Sequence, residues 1–162
     1  MSNSIPERIV LELIDRLEAI TIGNGYAMTA SVYRVNRDAA NGWSPKHYDI
    51  VVVQGDDERL TEWDCPGNPA AIGYELPIQI MAFVRLSDRT TTPEQQVVNN
   101  FAASIRKAIA VDHAWYTFGD VSRNADIGTA AFFRAEDGSH AGATLTITVQ
   151  YRVSELDPFE VR

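Results

Sequence analysis

The segment from Thr144 to Val153 constrains the fold more than any other part of this sequence. Polar and apolar residues alternate over its whole length. Since successive side chains of a β-strand point to opposite faces of the sheet, this pattern predicts a strand with one buried face and one polar face. The residues predicted to be buried are Leu145, Ile147, Val149, Tyr151 and Val153. We therefore expect a sheet whose second face meets solvent or a partner.

A first amphipathic helix is predicted near the N-terminus. Ser4 and Glu7 have the spacing of a capping box, and Gly23 and Gly25 are expected to end the helix. Glu12 and Arg16 form an i, i+4 pair that we expect on a solvated surface. The apolar stripe predicted to pack on the core is Ile9, Val10, Leu13, Ile14 and Leu17.

A second amphipathic helix is predicted to begin at Thr92 and Pro93, where a capping residue precedes a proline suited to the first helical turn. Arg106 and Lys107 lie near its other end, where cations interact favourably with the helix dipole. We expect the helix to end near Val111. Its predicted apolar face is Val97, Val98, Phe101, Ile105, Ala108 and Ile109.

Further strands are predicted from alternating, β-branched and aromatic residues. They are expected at Tyr26 to Asn36, Ile50 to Val53, Leu76 to Leu86 and Ala130 to Ala135. The unbroken apolar run from Ile50 to Val53 predicts burial on both faces. The order of elements predicts an α+β fold, with a mixed or antiparallel sheet of about five strands and two helices packed on one face. The length fits a single domain over residues 1–162.

Two segments lack a sustained period and are predicted to be loops. Residues 37–47 contain turn formers, and residues 54–73 form an unusually long irregular stretch. Long loops often carry function, and a large aromatic residue outside the periodic elements either anchors a partner or folds back onto the core. We predict a partner interface centred on the long loop. Its candidate residues are Trp43, Asp56, Asp57, Glu58 and Trp63.

The sequence carries no recognisable catalytic, cofactor or metal motif. Cys65 is the only cysteine, and its acidic neighbour Asp64 does not favour a reactive thiolate. His47, His113 and His140 have no second histidine or cysteine at metal-ligand spacing. Glycine-rich phosphate loops and a Gly-x-Ser-x-Gly elbow are also absent from the sequence. We therefore expect no enzymatic activity, no cofactor and no bound metal.

The charge balance argues against nucleic acid as a specific ligand. Fourteen basic residues stand against twenty-two acidic ones, which gives a formal charge of −8, and no segment concentrates lysine and arginine. No apolar run approaches the roughly 18 residues of a membrane span. The first seven residues do not resemble a signal peptide. We expect a protein that is made in the cytosol and does not associate with membranes.

Four stretches together resemble the tail terminator and tail completion proteins of long-tailed bacteriophages. They are IVLELIDRLEAI at 9–20, GYAMTASVYRV at 25–35, the strand-to-helix passage at 76–112 that opens with LPIQIMAFVRL, and TLTITVQYRVSELDPF at 144–159. These are patterns of structure rather than catalytic signatures, and they cover nearly the whole chain.

The resemblance implies a structural virion protein whose copies form a ring, commonly of six, at the head-proximal end of the tail tube. Such a ring contacts the major tail tube protein and the neck or connector proteins, stops tube polymerisation, and is assembled in the host cytoplasm. The family supplies no catalytic residues. Six copies would carry 6 × −8 = −48 formal charges. An acidic lumen would let genomic DNA pass without specific binding.

Two alternatives remain open at the level of sequence. Another head-to-tail joining or neck protein would show the same pattern of elements. A small α+β ligand-binding domain or enzyme would instead use the polar face of the sheet as the floor of a pocket, and it would need titratable side chains that converge in a cleft.

Overall fold

Three α-helices and seven β-strands make up the part of the chain that the structure describes. The computed structural model describes residues 3–55, 59–65, 71–88, 92–110, 124–154, 156, 157 and 159, with the backbone alone at 61–65, 88 and 124. The helices are α1 (Ile5–Glu18), α2 (Arg37–Asn41) and α3 (Glu94–Ile109). The strands are β1 (Ser31–Arg34), β2 (Tyr48–Gln54), β3 (Arg59–Cys65), β4 (Ala71–Arg85), β5 (Asn124–Ile127), β6 (Ala131–Arg134) and β7 (His140–Ser154).

Two strands of fifteen residues, β4 and β7, form the centre of the sheet and pair antiparallel along their whole length. On the outer side of β4, β2 pairs with one half and β3 with the other half, both antiparallel. In the same way β7 pairs with β6 and β5. β1 pairs parallel to β2. The sheet therefore has a broad end, which carries β1, β2 and β6, and a narrow end, which carries β3 and β5.

The main core lies between one face of this sheet and the helices α1 and α3. Phe101 of α3 is fully buried, and its ring meets Tyr48 edge to face with the ring centroids 5.4 Å apart. The five residues of β7 that the sequence predicted to be buried all lie in this core. Burial of such large side chains is the main term that stabilises a domain of this size.

We call the opposite face of the sheet the open face. A second and much smaller apolar cluster covers this face at the broad end only. Ala40 of α2 packs there with Val51, Val53 and Phe83. The parallel pairing of β1 and β2 requires a crossover connection, and α2 lies within it. Asn36 caps α2, since its side-chain oxygen accepts a hydrogen bond from the Ala39 N–H at 2.9 Å.

The predicted α+β class, the mixed sheet and the packing of helices on one face are confirmed. The buried run in β2 is confirmed as well, with every residue from Asp49 to Val53 buried. The sheet has more strands than the five expected. The predicted strand from Tyr26 to Asn36 is shorter, because only Ser31–Arg34 pairs with a neighbour. The predicted loop at 37–47 contains α2.

The prediction of one long loop over residues 54–73 was wrong. Residues Arg59–Cys65 form β3, which pairs with the start of β4. The pairing register shifts between Leu60 and Glu62 and again between Glu62 and Cys65. A strand with such irregularities does not keep a period of two, so its side chains leave no alternation to read in the sequence.

The placement of Arg16 on a solvated surface was also wrong. Its guanidinium is buried, and it donates one hydrogen bond to Glu12 and one to the carbonyl oxygen of Ile109, each at 3.0 Å. Ile109 is the last residue of α3, where backbone carbonyls lack partners within the helix. Arg16 therefore ties α1 to the C-terminal end of α3.

The capping box predicted at Ser4 and Glu7 does not form. Ser4 is the residue before α1, but its side chain makes no capping hydrogen bond. The Glu7 carboxylate instead accepts two hydrogen bonds from Arg34 of β1, at 2.7 and 2.8 Å. This bidentate pair lowers the pKa of Glu7 and raises that of Arg34, the hydrogen bond between them being the main cause.

Candidate partner-binding surface

The middle of the open face is a row of polar side chains on β4 and β7. Glu75 lies opposite Gln150, Pro77 opposite Thr148, and Gln79 opposite Thr146. Gln150 donates a side-chain hydrogen bond to Glu75 at 3.1 Å. All of these side chains are exposed or half-buried, in contrast to the sealed core on the other side of the same strands. The alternation that predicted one polar face of β7 is confirmed.

A shallow groove of about 630 Å³ runs over this row. Its floor is formed by β4 and β7, and its rims by α2 and by the start of β3. The lining residues are Arg37, Asn41, Gly55, Arg59, Glu75, Pro77, Gln79, Thr146 and Thr148. Both rims offer hydrogen-bond donors, from Arg37 and Asn41 on one side and Arg59 on the other, and two of the three charged lining residues are arginines.

Trp43 forms the edge of the small apolar cluster next to this groove. Its ring lies against Tyr33 with the centroids 4.7 Å apart, and its indole N–H donates to the Asp49 carboxylate at 3.1 Å. Asp49 is only 1% exposed. The same carboxylate oxygen accepts the backbone N–H of Lys46 at 3.1 Å. Asp49 therefore fixes both Trp43 and the loop that leads to β2.

A second concavity, which we call the cationic cleft, lies at the broad end of the sheet. It measures about 400 Å³ and is lined by Ser44, Pro45, Lys46, Arg85, Ser139 and His140. Arg85 and His140 are direct neighbours across β4 and β7. Beside the cleft, hydrogen bonds from the Ser139 hydroxyl and backbone N–H lower the pKa of Asp137.

The predicted interface residues fall in different places. Trp43 lies on the open face, half-buried and already engaged with Tyr33 and Asp49. Asp56, Asp57 and Glu58 lie outside the described residues. The backbone of Trp63 belongs to β3, while its side chain lies outside the described part. The assignment of all five residues to an interface stays a prediction.

Sequence reasoning missed most of the residues that line the two concavities. Thr146 and Thr148 were predicted on the polar face, because the alternation in β7 is regular. Arg59 belongs to a strand that the sequence did not reveal. Arg85 and Lys46 are separated by 39 positions and meet only because β2 and β4 are adjacent. No local signal in the sequence marks such a cluster.

Among the described side chains, no group of three or more histidine, cysteine, aspartate or glutamate residues is placed to hold a metal ion. None of the helices in the described ranges has the length and apolar character that crossing a membrane requires. The groove and the cationic cleft carry hydrogen-bond donors, acceptors and charges on one face of the sheet. Models of known protein families give no match to this sequence, and neither do curated proteins.

Proposed function

We propose that this protein is a structural subunit of a long-tailed bacteriophage, of the tail terminator type. Copies of the chain form a closed ring at the head-proximal end of the tail tube. The ring stops tube polymerisation and joins the tail to the neck. The proposal rests on the sequence resemblance and on one structural observation, the polar open face with its groove beside a sheet whose other face is sealed by two helices.

The open face supports a contact role because it carries a groove and is not simply a flat surface exposed to water. An antiparallel sheet can expose one face to water without further use. Here, however, residues of α2 and β3 join those of β4 and β7 in lining a groove. The rims present Arg37, Asn41 and Arg59 towards a floor of threonine and glutamine side chains. Such a surface has the polar, hydrogen-bonding character of the rim of a protein interface.

The distribution of charge supports a contact role for the same face. The groove holds Arg37 and Arg59 against Glu75, so it is not acidic although the chain carries a net charge of −8. Glu75 is the one acidic residue among the described side chains that line the groove. A ring can therefore use the open face for protein contacts and still present acidic surfaces to the DNA that passes through it.

The groove also favours a second candidate function, a ligand-binding module. Its volume of about 630 Å³ lies within the range of small-molecule pockets. Such pockets are usually deep and mainly apolar, whereas this groove is shallow and polar. We therefore place structural assembly first. A neck protein, which would join head to tail without ending the tube, is the alternative within the same class.

The deciding experiment removes the gene from the virus that encodes it and measures tail lengths in electron micrographs of the lysate. If the protein is a terminator, its loss gives tubes of uncontrolled length without heads, and supplying the intact gene in trans restores a single length. If the protein is a neck protein, its loss gives tails of normal length that remain unattached to heads. Normal infectious particles without the gene would contradict both forms of the proposal.

A further inference from the structure

We propose that the cationic cleft of one copy receives Asp15 and Glu18 from the α1 helix of the next copy. This inference rests on the proposed function, since it assigns the contact between neighbouring subunits of the ring. It makes the contact head to tail, between two different surfaces of the same chain. Contacts of that kind form rings when the rotation between copies closes.

Hydrogen bonds fix the backbone of the cleft at Lys46 and Arg85, which supply its positive charge. Lys46 is held by its backbone N–H, which donates to the buried Asp49 carboxylate. The backbone N–H of Arg85 donates to the His47 carbonyl oxygen at 3.0 Å. The His140 ring lies against Phe83, and its Nδ1 is 2.9 Å from the Ser139 hydroxyl. Within the described residues, neither Lys46 nor Arg85 has an acidic partner.

The outer stripe of α1 carries the complementary charge. Asp15 and Glu18 are exposed, and neither forms an ion pair within the described part of the chain. Leu11 lies one turn before Asp15 on the same helix and is 38% exposed, and Ile22, which follows the end of α1, is 66% exposed. The stripe therefore carries two acids that have no ion-pair partner among the described residues, with the exposed Leu11 on the same helix. The exposed Ile22 follows directly after the helix.

The two surfaces match in spacing as well as in charge. Residues three apart on a helix have their Cβ atoms about 5 to 6 Å apart, and directly opposed residues on antiparallel strands have theirs about 4.5 to 5.5 Å apart. Asp15 and Glu18 form the first kind of pair, and Arg85 and His140 form the second. Two carboxylates on the helix can thus approach Arg85 and the neighbouring His140 ring together.

The two surfaces also lie on opposite sides of the subunit. Arg85 and His140 point to the open face, whereas α1 packs on the other face of the sheet. One copy can therefore engage a neighbour on each side at the same time. Exposed ion pairs alone stabilise a contact only weakly. Burial of Leu11 and Ile22 would add the apolar contribution that a lasting interface needs.

Reciprocal charge reversal tests the contact. One variant carries Lys46→Glu and Arg85→Glu, which changes the net charge from −8 to −12, and the other carries Asp15→Lys and Glu18→Lys, which changes it to −4. Sedimentation velocity at low ionic strength compares each variant, the wild type and an equimolar mixture of both variants. We expect each variant alone to associate at least tenfold more weakly than the wild type, and the mixture to recover assembly.

Recovery in the mixture is the distinctive result, because each variant alone presents like charges to itself while the mixture restores opposite charges at every contact. A general effect of charge would instead make the −4 variant associate better than the wild type. Arg106→Glu with Lys107→Glu on α3 is the matched control, with the same change in charge and unimpaired assembly expected.

The failure of this inference is distinguishable from the failure of the proposed function. If the wild type and both variants assemble equally, the assigned contact is wrong, but the proposed ring is not contradicted. If the variants fail alone and also fail when mixed, the assigned pairing is wrong as well. If the wild type itself remains a monomer at every concentration, both the proposed ring and this inference are wrong.

Discussion

Gly142 of β7 lies at a point of close approach where the structure leaves no room for a side chain. It faces Phe83 on β4 and Phe133 on β6, whose rings meet edge to face with centroids 5.4 Å apart. A Cβ atom at Gly142 would lie 2.5 Å from the Phe133 Cζ atom, and it would overlap the backbone oxygen of Ala82. The ring could turn aside, but the oxygen belongs to the central pairing of β4 and β7. Gly142→Ala must therefore strain the sheet itself.

The expected cost follows from this geometry. Overpacking a core with one extra carbon typically costs about 1 to 3 kcal/mol, and a clash with backbone lies at the upper end of that range. A loss of about 3 kcal/mol in the free energy of unfolding would lower the Tm of a chain of this length by roughly 6 to 12 °C. Urea denaturation followed by tryptophan fluorescence measures the free energy, and a thermal scan measures the Tm.

Gly42→Ala is the matched control. Gly42 has a φ of −100° and nothing within 4 Å of the position its Cβ would take. Alanine there should be neutral or should stabilise the protein by up to about 1 kcal/mol, because it reduces the entropy of the unfolded chain. The reasoning is refuted if the two variants have the same stability to within about 0.5 kcal/mol.

Three further substitutions test the contacts that join the elements. Arg16→Met should cost about 2 kcal/mol in urea denaturation, because it leaves the Ile109 carbonyl oxygen without its buried donor, whereas Arg8→Met on the same helix should change little. Trp43→Phe keeps the contact with Tyr33 but removes a donor to Asp49, and should cost about 1.5 to 3 kcal/mol; an unchanged unfolding midpoint would mean that Asp49 does not hold the loop. The pKa of Glu7 is lowered from 4.5 in the folded state, so its pairing with Arg34 stabilises the protein above that pH, and the stabilisation is lost as the pH falls through the lowered value. The stability difference between the wild type and Glu7→Gln should therefore be constant near neutral pH and decrease as the pH falls through the lowered pKa of Glu7, and a difference that does not depend on pH would contradict the role of this pair.

Regular elements could be predicted from the sequence because their burial is one-sided or complete. In β7 and in most of β4, one face packs on α1 and α3 while the other meets solvent. Apolar and polar residues therefore alternate along these strands. In β2 the small cluster under α2 buries the second face too, and the pattern becomes an unbroken apolar run. Both patterns depend on local burial, which a sequence records directly.

Elements whose form depends on distant partners could not be predicted. β3 is held by its pairing with β4 and contains shifts of register, so its residues follow no period. Arg16 looked like one half of a surface ion pair, because its second partner, the end of α3, lies 93 residues away. Glu7 had the spacing for a cap, yet Arg34 offers it a charged bidentate partner, which is the stronger interaction.

In the candidate site, too, the features that depend on local burial could be predicted and those that depend on distant residues could not. The polar row of the open face was predictable, since it is the other half of the alternation that identified the core. The groove rims and the cationic cleft were not, since they combine residues from α2, β3, β4 and the turns beside β2 and β7. Only the topology of the sheet brings these side chains together. Trp43 stood out in the sequence as a lone aromatic, and in the structure it is fixed by Tyr33 and Asp49.

Native mass spectrometry of the purified protein tests the central claim most directly. A closed ring has one discrete mass, and for the ring of six that the family resemblance implies this is 6 × 18.0 kDa, about 108 kDa. We predict such a single closed species at high protein concentration and low ionic strength, with no stable species between it and the monomer. A protein that stays at the mass of one chain under all conditions, or an open series of masses that increases one chain at a time, would contradict the account.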